Sequence, residues 1–335
     1  MRFSNWSLIS SLALSAVGSP IAAPEITVNG RAAASISEDL LSTLVLYSQY
    51  AGASYCNSEN PIGSIVTCSG GACPNVTAAG ATIAATYSGN ETDIQGFVST
   101  DATNKVIVVS VRGSHSIRNW VADFEFLQRN CSLVSGCKVH DGFERAWEEI
   151  SSAVLTAVGH TKRANPDYKI VFTGHSLGAA VSTLGGAYAR QAGFEVDIIN
   201  YGSPRVGNAA FATFLSNSPG VEHRVTHLDD PVPRLPPILL EYAHTTPELW
   251  LSDGSADTDV YGVNDIKECS GIESRDCNAS TGGLDIDAHL HYLGPISGCS
   301  PDEIVWKRDA EGGDETELAA RLNDWAQRDI VLTPE

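Results

Sequence analysis

The chain has 335 residues, 43% apolar and 18% charged, enough to bury a large core and too apolar for a disordered polypeptide. Asp and Glu number 40 against 21 Lys and Arg, a net charge of −19 with histidine neutral. Nucleic acid and anionic membrane surfaces both demand a basic face, so they are excluded as partners, whereas neutral lipids and polymers remain open.

The first elements decide the compartment. Arg2 precedes an apolar stretch from Trp6 to Val17 and the small triplet Ala16-Val17-Gly18, which reads as a secretory signal over residues 1–18. The stretch is too short for a membrane anchor, and no later segment is long enough to cross a bilayer. Residues 19–31, ending in Asn29-Gly30-Arg31, read as a short pro-segment, and the protein is expected to be secreted and extracellular. Eight cysteines in such a chain suggest four disulfides. Cys68/Cys73, Cys131/Cys137 and Cys269/Cys277 form close pairs, leaving Cys56 with Cys299 to tie the start of the domain to its end. The spacings are not those of zinc sites. Asn75, Asn90, Asn130 and Asn278 head N-x-S/T sequons, Asn130 being the least suited because it abuts Cys131.

Ser35-Ile-Ser-Glu38 is a capping-box pattern, and Leu40, Leu41, Leu44, Tyr47 and Ala51 follow at helical spacing. Residues 57–80 read as a Gly/Cys/Pro-rich loop. Lys105–Val111 is a β-branched run suited to a strand buried on both faces. Phe143, Ala146, Trp147, Ile150, Val154 and Val158 mark one face of a long helix; Lys169–Phe172 reads as a strand and Ser176–Gln191 as a helix. Val196–Tyr201 and Arg224–Leu228 are further strands, with a short helix at Ala209–Leu215 between them. Strands alternating with helices predict an α/β domain over 32–300 with a mostly parallel sheet and helices on both faces. After Cys299 the character changes: residues 301–335 are highly charged, with a helical pattern beyond the dibasic pair Lys307-Arg308. This tail is read as lying outside the catalytic domain, with Arg308 a candidate processing site.

Gly174-His-Ser176-Leu-Gly178 sits between a predicted strand and a predicted helix, the setting a nucleophile elbow requires. No phosphate-loop lysine follows it. A serine hydroxyl needs a base and a group to orient that base. In chain order the acid follows the nucleophile and the base comes last, which leaves Asp229 or Asp230 and His289 or His291 as neighbours that order alone does not separate.

Several segments together resemble the secreted filamentous-fungal lipases of the class 3 family. They are Arg112-Gly-Ser-His-Ser-Ile-Arg-Asn-Trp120, His140-Asp-Gly-Phe143, Phe172-Thr-Gly-His-Ser-Leu-Gly178, Tyr201-Gly-Ser-Pro-Arg-Val-Gly-Asn208, Thr226-His-Leu-Asp-Asp-Pro-Val-Pro-Arg-Leu-Pro236 and Asp285-Ile-Asp-Ala-His289. The similarity runs from about 35 to 300. It implies an α/β-hydrolase fold with a short helical lid and a triad of Ser176, Asp230 and His289. It also implies an oxyanion hole from the backbone N–H of Leu177 together with Ser114. The lid falls at roughly 116–123, with Ile117, Trp120 and Val121 on its apolar, substrate-binding face. His140, His175, Ser203, Pro204 and Arg205 also fall in family motifs and are read as structural. Asp285-x-Asp287-x-His289 has the look of a metal cluster, but the family position argues for a triad member. His115 stands where the best-known members carry Arg; the Cys269/Cys277 bridge belongs to a subset, and the acidic tail is not general.

The expected activity is that of a triacylglycerol lipase working at lipid–water interfaces through an acyl-enzyme, with no metal or organic cofactor and as a monomer. The alternatives are a feruloyl or other soluble-ester esterase, or a phospholipase, on the same fold.

Overall fold

The structure is a computed structural model; it describes residues 36–114, 126–272, 274–282, 285–300 and 315–331. The expected signal (1–18), pro-segment (19–31), lid residues Ile117, Trp120 and Val121, His115 and the Lys307-Arg308 pair lie outside the described residues.

An eight-stranded sheet has the order β1 (Thr82–Ser88), β2 (Gln95–Asp101), β3 (Val106–Val111), β6 (Lys169–His175), β7 (Val196–Tyr201), β8 (Glu222–His227), β9 (Glu248–Leu251), β10 (Ile266–Cys269). The run β3-β6-β7-β8-β9 is parallel, while β1, β2 and β10 join antiparallel at the edges. Strands β4 (Gln128–Asn130) and β5 (Lys138–His140) form a separate hairpin. All six residues of β3 are buried, because both faces of the sheet are covered. Alternate residues split between two cores. Ile107, Val109, Phe172 and Ile198 pack with the apolar side of α3 (Asp141–Ala164) and with α4 (Leu177–Gln191) and α5 (Ala209–Ser216). Val108, Val171, Ile199 and Tyr201 pack beneath α1 (Glu38–Asn57) on the opposite face.

Local differences from the sequence reading have simple causes. Helix α1 begins at Glu38 because Ser37 accepts the Leu40 N–H as N-cap. The stretch 57–80 is not all loop: Pro74, pre-set for a first helical position, starts α2 (Pro74–Ala79), which Gly80 ends in the left-handed region at φ 69°. Strands β1, β2, β9 and β10 escaped the pattern because they are short or rich in Thr, Ser and Glu. The four disulfides pair Cys56–Cys299, Cys68–Cys73, Cys131–Cys137 and Cys269–Cys277. Cys56–Cys299 spans 243 residues, and loop-closure entropy assigns a link of that reach roughly 5 kcal/mol.

The charged tail differs from its expected place. Its helix, α7 (Glu315–Val331), does not stand apart: Leu322 and Ala326 are buried against the domain.

Candidate active site

The nucleophile elbow grows from the end of β6. Ser176 stands at φ 58°, ψ −129°, a region costly for a side chain and retained at elbows because the turn must be this sharp. The flanking glycines are steric necessities: a Cβ on Gly174 would lie 2.4 Å from the Gly178 carbonyl oxygen, and one on Gly178 would lie 2.2 Å from that of Val111. The Ser176 N–H donates to the Tyr201 carbonyl at 3.0 Å, pinning the elbow to the neighbouring strand.

The candidate acid lies beyond β8. Leu228 turns the chain at φ 36°, and Asp230 follows, fully buried. Three groups converge on its carboxylate: the Val232 N–H donates to Oδ1 at 2.8 Å, the Tyr292 hydroxyl donates to Oδ2, and His289 Nδ1 sits 2.7 Å from Oδ2. Burial, followed by the Asp230 charge, raises the Tyr292 phenol far above its ordinary value, so it stays a donor. Asn278 supports the turn from behind, its side-chain amide donating to the carbonyls of Leu228 at 3.1 Å and Asp230 at 3.0 Å. Trp250 Nε1 donates to the same Leu228 carbonyl at 2.9 Å.

His289 sits on α6 (Ile286–Leu290), a helix capped by the Asp285 side chain. With Nδ1–H given to Asp230, Nε2 keeps its lone pair for a proton. Gly202, at φ 57°, leaves room for the ring: a Cβ there would lie 3.0 Å from His289 Cε1. Two further histidines clamp this helix. His175 Nε2 lies 2.8 Å from the His289 carbonyl, and His227 Nδ1 lies 2.8 Å from the Ala288 carbonyl. Burial holds both imidazoles below their ordinary pKa, His175 strongly. Each is therefore neutral, donating to a carbonyl through one nitrogen and accepting through the other from Tyr55 Oη (2.8 Å) or Tyr261 Oη (2.6 Å). The hydrogen bonds of His175 are thus to backbone and phenol.

Ser176 Oγ and His289 Nε2 are both buried, and neither has a hydrogen-bond partner among the described residues. The candidate nucleophile and base are thus not hydrogen-bonded to each other, a looseness that does not count against such a pair. Asp229 and His291 are directed elsewhere. Asp229 is half-buried and its backbone carbonyl accepts from the Arg234 guanidinium, while His291 pairs with Asp259 at 2.8 Å.

The oxyanion candidates flank the elbow. Leu177 opens α4 directly after Ser176, so its N–H is among those a helix start leaves unpaired within the helix. Ser114 follows β3 by way of Gly113, whose Cβ position lies 2.8 Å from the His175 carbonyl oxygen and 2.2 Å from Tyr55 Oη. Tyr55 thus packs between the oxyanion loop and the His175 clamp. The Asp285, Asp287 and His289 triplet is not assembled as a ligand set, since Asp285 caps its helix and His289 faces Asp230. Among the described residues, the one group with metal-ligand proximity is Cys56, Cys68 and Cys299, all oxidised in disulfides.

Sequence reasoning missed Tyr292, Asn278, His227 and Tyr55 as parts of the site. Asn278 carried a signal, its sequon, that pointed to glycosylation, and His227 lies in the Thr226–Pro236 motif with nothing there to mark its role. Asn278 is 1% exposed, whereas Asn75, Asn90 and Asn130 are exposed. Folded-state burial thus closes Asn278, not Asn130, to modification.

Comparison with known proteins fits this geometry. The family model "Lipase (class 3)" matches residues 108–240, from β3 past the acid turn. A secreted mono- and diacylglycerol lipase of Fusarium solani is 46% identical over 327 residues, 96% of each chain. The chain belongs to the class 3 lipase family. Among solved structures, the mono- and diacylglycerol lipase of Aspergillus oryzae aligns with a TM-score of 0.75 at 37% identity. That alignment covers 79% of this lipase and 99% of the other chain. A triacylglycerol lipase described as having a serine protease triad aligns with a TM-score of 0.70 at 31% identity, covering 80% and 99% of the two chains. The fold is thus that of an α/β-hydrolase, and the enzyme is a carboxylic ester hydrolase. Among the described residues, no helix is long and apolar enough to cross a membrane.

Proposed function

We propose that this lipase is secreted and hydrolyses triacylglycerols at an oil–water interface, with Ser176, His289 and Asp230 as its triad. The observation that carries this reading is the buried Asp230–His289 pair at 2.7 Å, set behind a serine on a strained elbow. Ser176 Oγ attacks the ester carbonyl carbon as His289 Nε2 takes its proton. The tetrahedral oxyanion rests on the Leu177 N–H and Ser114, each such donor contributing about 3–4 kcal/mol. The carbon–oxygen bond to glycerol breaks, and His289 returns the proton to the departing alcohol. Water then attacks the acyl-Ser176 by the same route, releasing the fatty acid and restoring the serine. Asp230 holds the imidazole tautomer and stabilises the imidazolium; Tyr292 holds Asp230. No step calls for a metal or organic cofactor, and all three groups come from one chain, in keeping with a monomer. The apolar segment Ile117, Trp120 and Val121 supplies the interface-sensitive cover, a role read from its sequence.

A second reading, preference for mono- and diacylglycerols, is favoured by the 46% identity to the Fusarium solani enzyme of that description. Hydrolysis of tributyrin across its solubility limit tests the first reading. A rate jump when droplets form, absent in Ser176→Ala, is the expected result. A smooth saturating curve makes the enzyme an esterase. Parallel rates on monoolein, diolein and triolein decide between the glyceride classes.

A further inference from the structure

The tail helix is fixed to the catalytic domain by more than incidental contact. Arg205, from the Tyr201–Asn208 motif, is buried, and its guanidinium reaches Asp329 of α7 at 3.1 Å across 124 residues of chain. The same carboxylate accepts the backbone N–H groups of Ile238 at 2.9 Å and Leu239 at 3.2 Å. One acidic group of the tail thus satisfies a buried cation and two backbone donors of the domain. On the apolar side, Leu322 is buried in a cluster with Tyr55, Val232 and Leu235, against which Leu290, Phe126 and Trp325 pack. Phe126 and Trp325 meet edge to face at 5.0 Å.

The face beneath α7 belongs to the site. Leu290 follows His289 directly, Val232 gives its N–H to Asp230, and Tyr55 binds His175 beside Ser176. Without the helix, this surface is an apolar patch against the triad, suited in chemistry to a hydrocarbon chain. The only dibasic pair between the last disulfide cysteine, Cys299, and α7 is Lys307-Arg308. A cut there frees the helix from every covalent tie.

We propose that α7 is a tethered competitor for this face, so that the full chain is restrained toward long acyl chains and displacement of the helix relieves the restraint. This inference rests on the lipase reading above, and its test separates the two. Full-length Leu322→Glu and Trp325→Ala weaken the seat of α7 without touching the triad. The readout is the ratio of hydrolysis rates on p-nitrophenyl palmitate and p-nitrophenyl butyrate, because a butyryl chain is too short to need the face. Fluorophosphonate labelling of Ser176 counts the competent sites. The expected result is a rise in the palmitate/butyrate ratio of at least fivefold per labelled site. Should either variant fail to fold, the wild-type full chain cut after Arg308 by a dibasic-specific protease is read in the same way. Adding back a synthetic peptide of residues 312–335 should then restore the low ratio. An unchanged or lower ratio, with Ser176-dependent hydrolysis intact, overturns the inference alone. Absence of Ser176-dependent hydrolysis on both esters in every form overturns the lipase reading with it.

Discussion

Asn278 offers a sharp test of how the acid turn is held. In Asn278→Ala two buried amide hydrogen bonds vanish, at 3.1 Å to the Leu228 carbonyl and 3.0 Å to the Asp230 carbonyl. Leu228 keeps Trp250 as a donor, so its loss is one ordinary hydrogen bond, about 1 kcal/mol. Asp230 has no other donor to its carbonyl among the described residues, and an orphaned buried acceptor costs roughly 1–3 kcal/mol. The sum is about 3 kcal/mol. With an unfolding entropy of about 2.1 cal/mol/K per residue over roughly 300 residues, that corresponds to a fall in Tm of about 5 °C. The same turn carries Asp230, the proposed triad acid, just past a strained Leu228, so relaxation displaces the carboxylate from His289. A fall in kcat of tenfold or more with little change in KM is expected. Calorimetry and steady-state kinetics on a soluble ester measure both quantities. The control is Ser280→Ala, which removes the sequon, leaves the Asn278 amide in place, and should keep kcat near wild type. Mass spectrometry of the enzyme from a glycosylating host should find Asn278 unglycosylated. A glycan on Asn278 in active enzyme, or wild-type kcat and Tm in Asn278→Ala, refutes the reasoning.

Two further outcomes follow from buried groups. Tyr292→Phe removes a donor from the Asp230 carboxylate, an interaction worth about 1.5–3 kcal/mol for a charged acceptor. Expressed in the transition state it should lower kcat at least tenfold at near-constant KM, and an unchanged kcat rules out the role. Burial pushes the Glu222 carboxyl up to about 7 from an ordinary value of 4.5. Between those pH values the unfolded chain has released this proton and the folded one has kept it. Glu222 therefore makes stability fall as pH rises through that window, by roughly 3 kcal/mol in all, with no further change from this group above it. Urea midpoints at pH 5 and pH 8 should show that this decline is smaller in Glu222→Gln; an identical pH dependence in both proteins contradicts the assignment.

The elbow around Ser176 was legible because its signal is local: the glycines at 174 and 178 are demanded by contacts within one turn and the adjacent strand end. The choices between Asp229 and Asp230, and between His289 and His291, were not resolvable from order. What separates them is that Asp230 and His289 are both buried and face one another, while His291 faces Asp259. The histidine clamps were less visible still. His175 and His227 end β6 and β8, and nothing in either segment announces that both ends meet the backbone of α6. The helical pattern of α7 could be read, but its seat could not, since Arg205 and Asp329 are distant in sequence and each is unremarkable alone.

The Cys56–Cys299 bridge has a consequence for how the enzyme survives in a medium containing proteases. It encloses every residue of the proposed triad within one covalent ring. A single nick anywhere between those cysteines leaves both fragments joined, visible as one band on a non-reducing gel and two after reduction. A nick beyond Cys299 sheds mass in either gel. Damage inside the ring is thus retained, while trimming at the C-terminal end is irreversible.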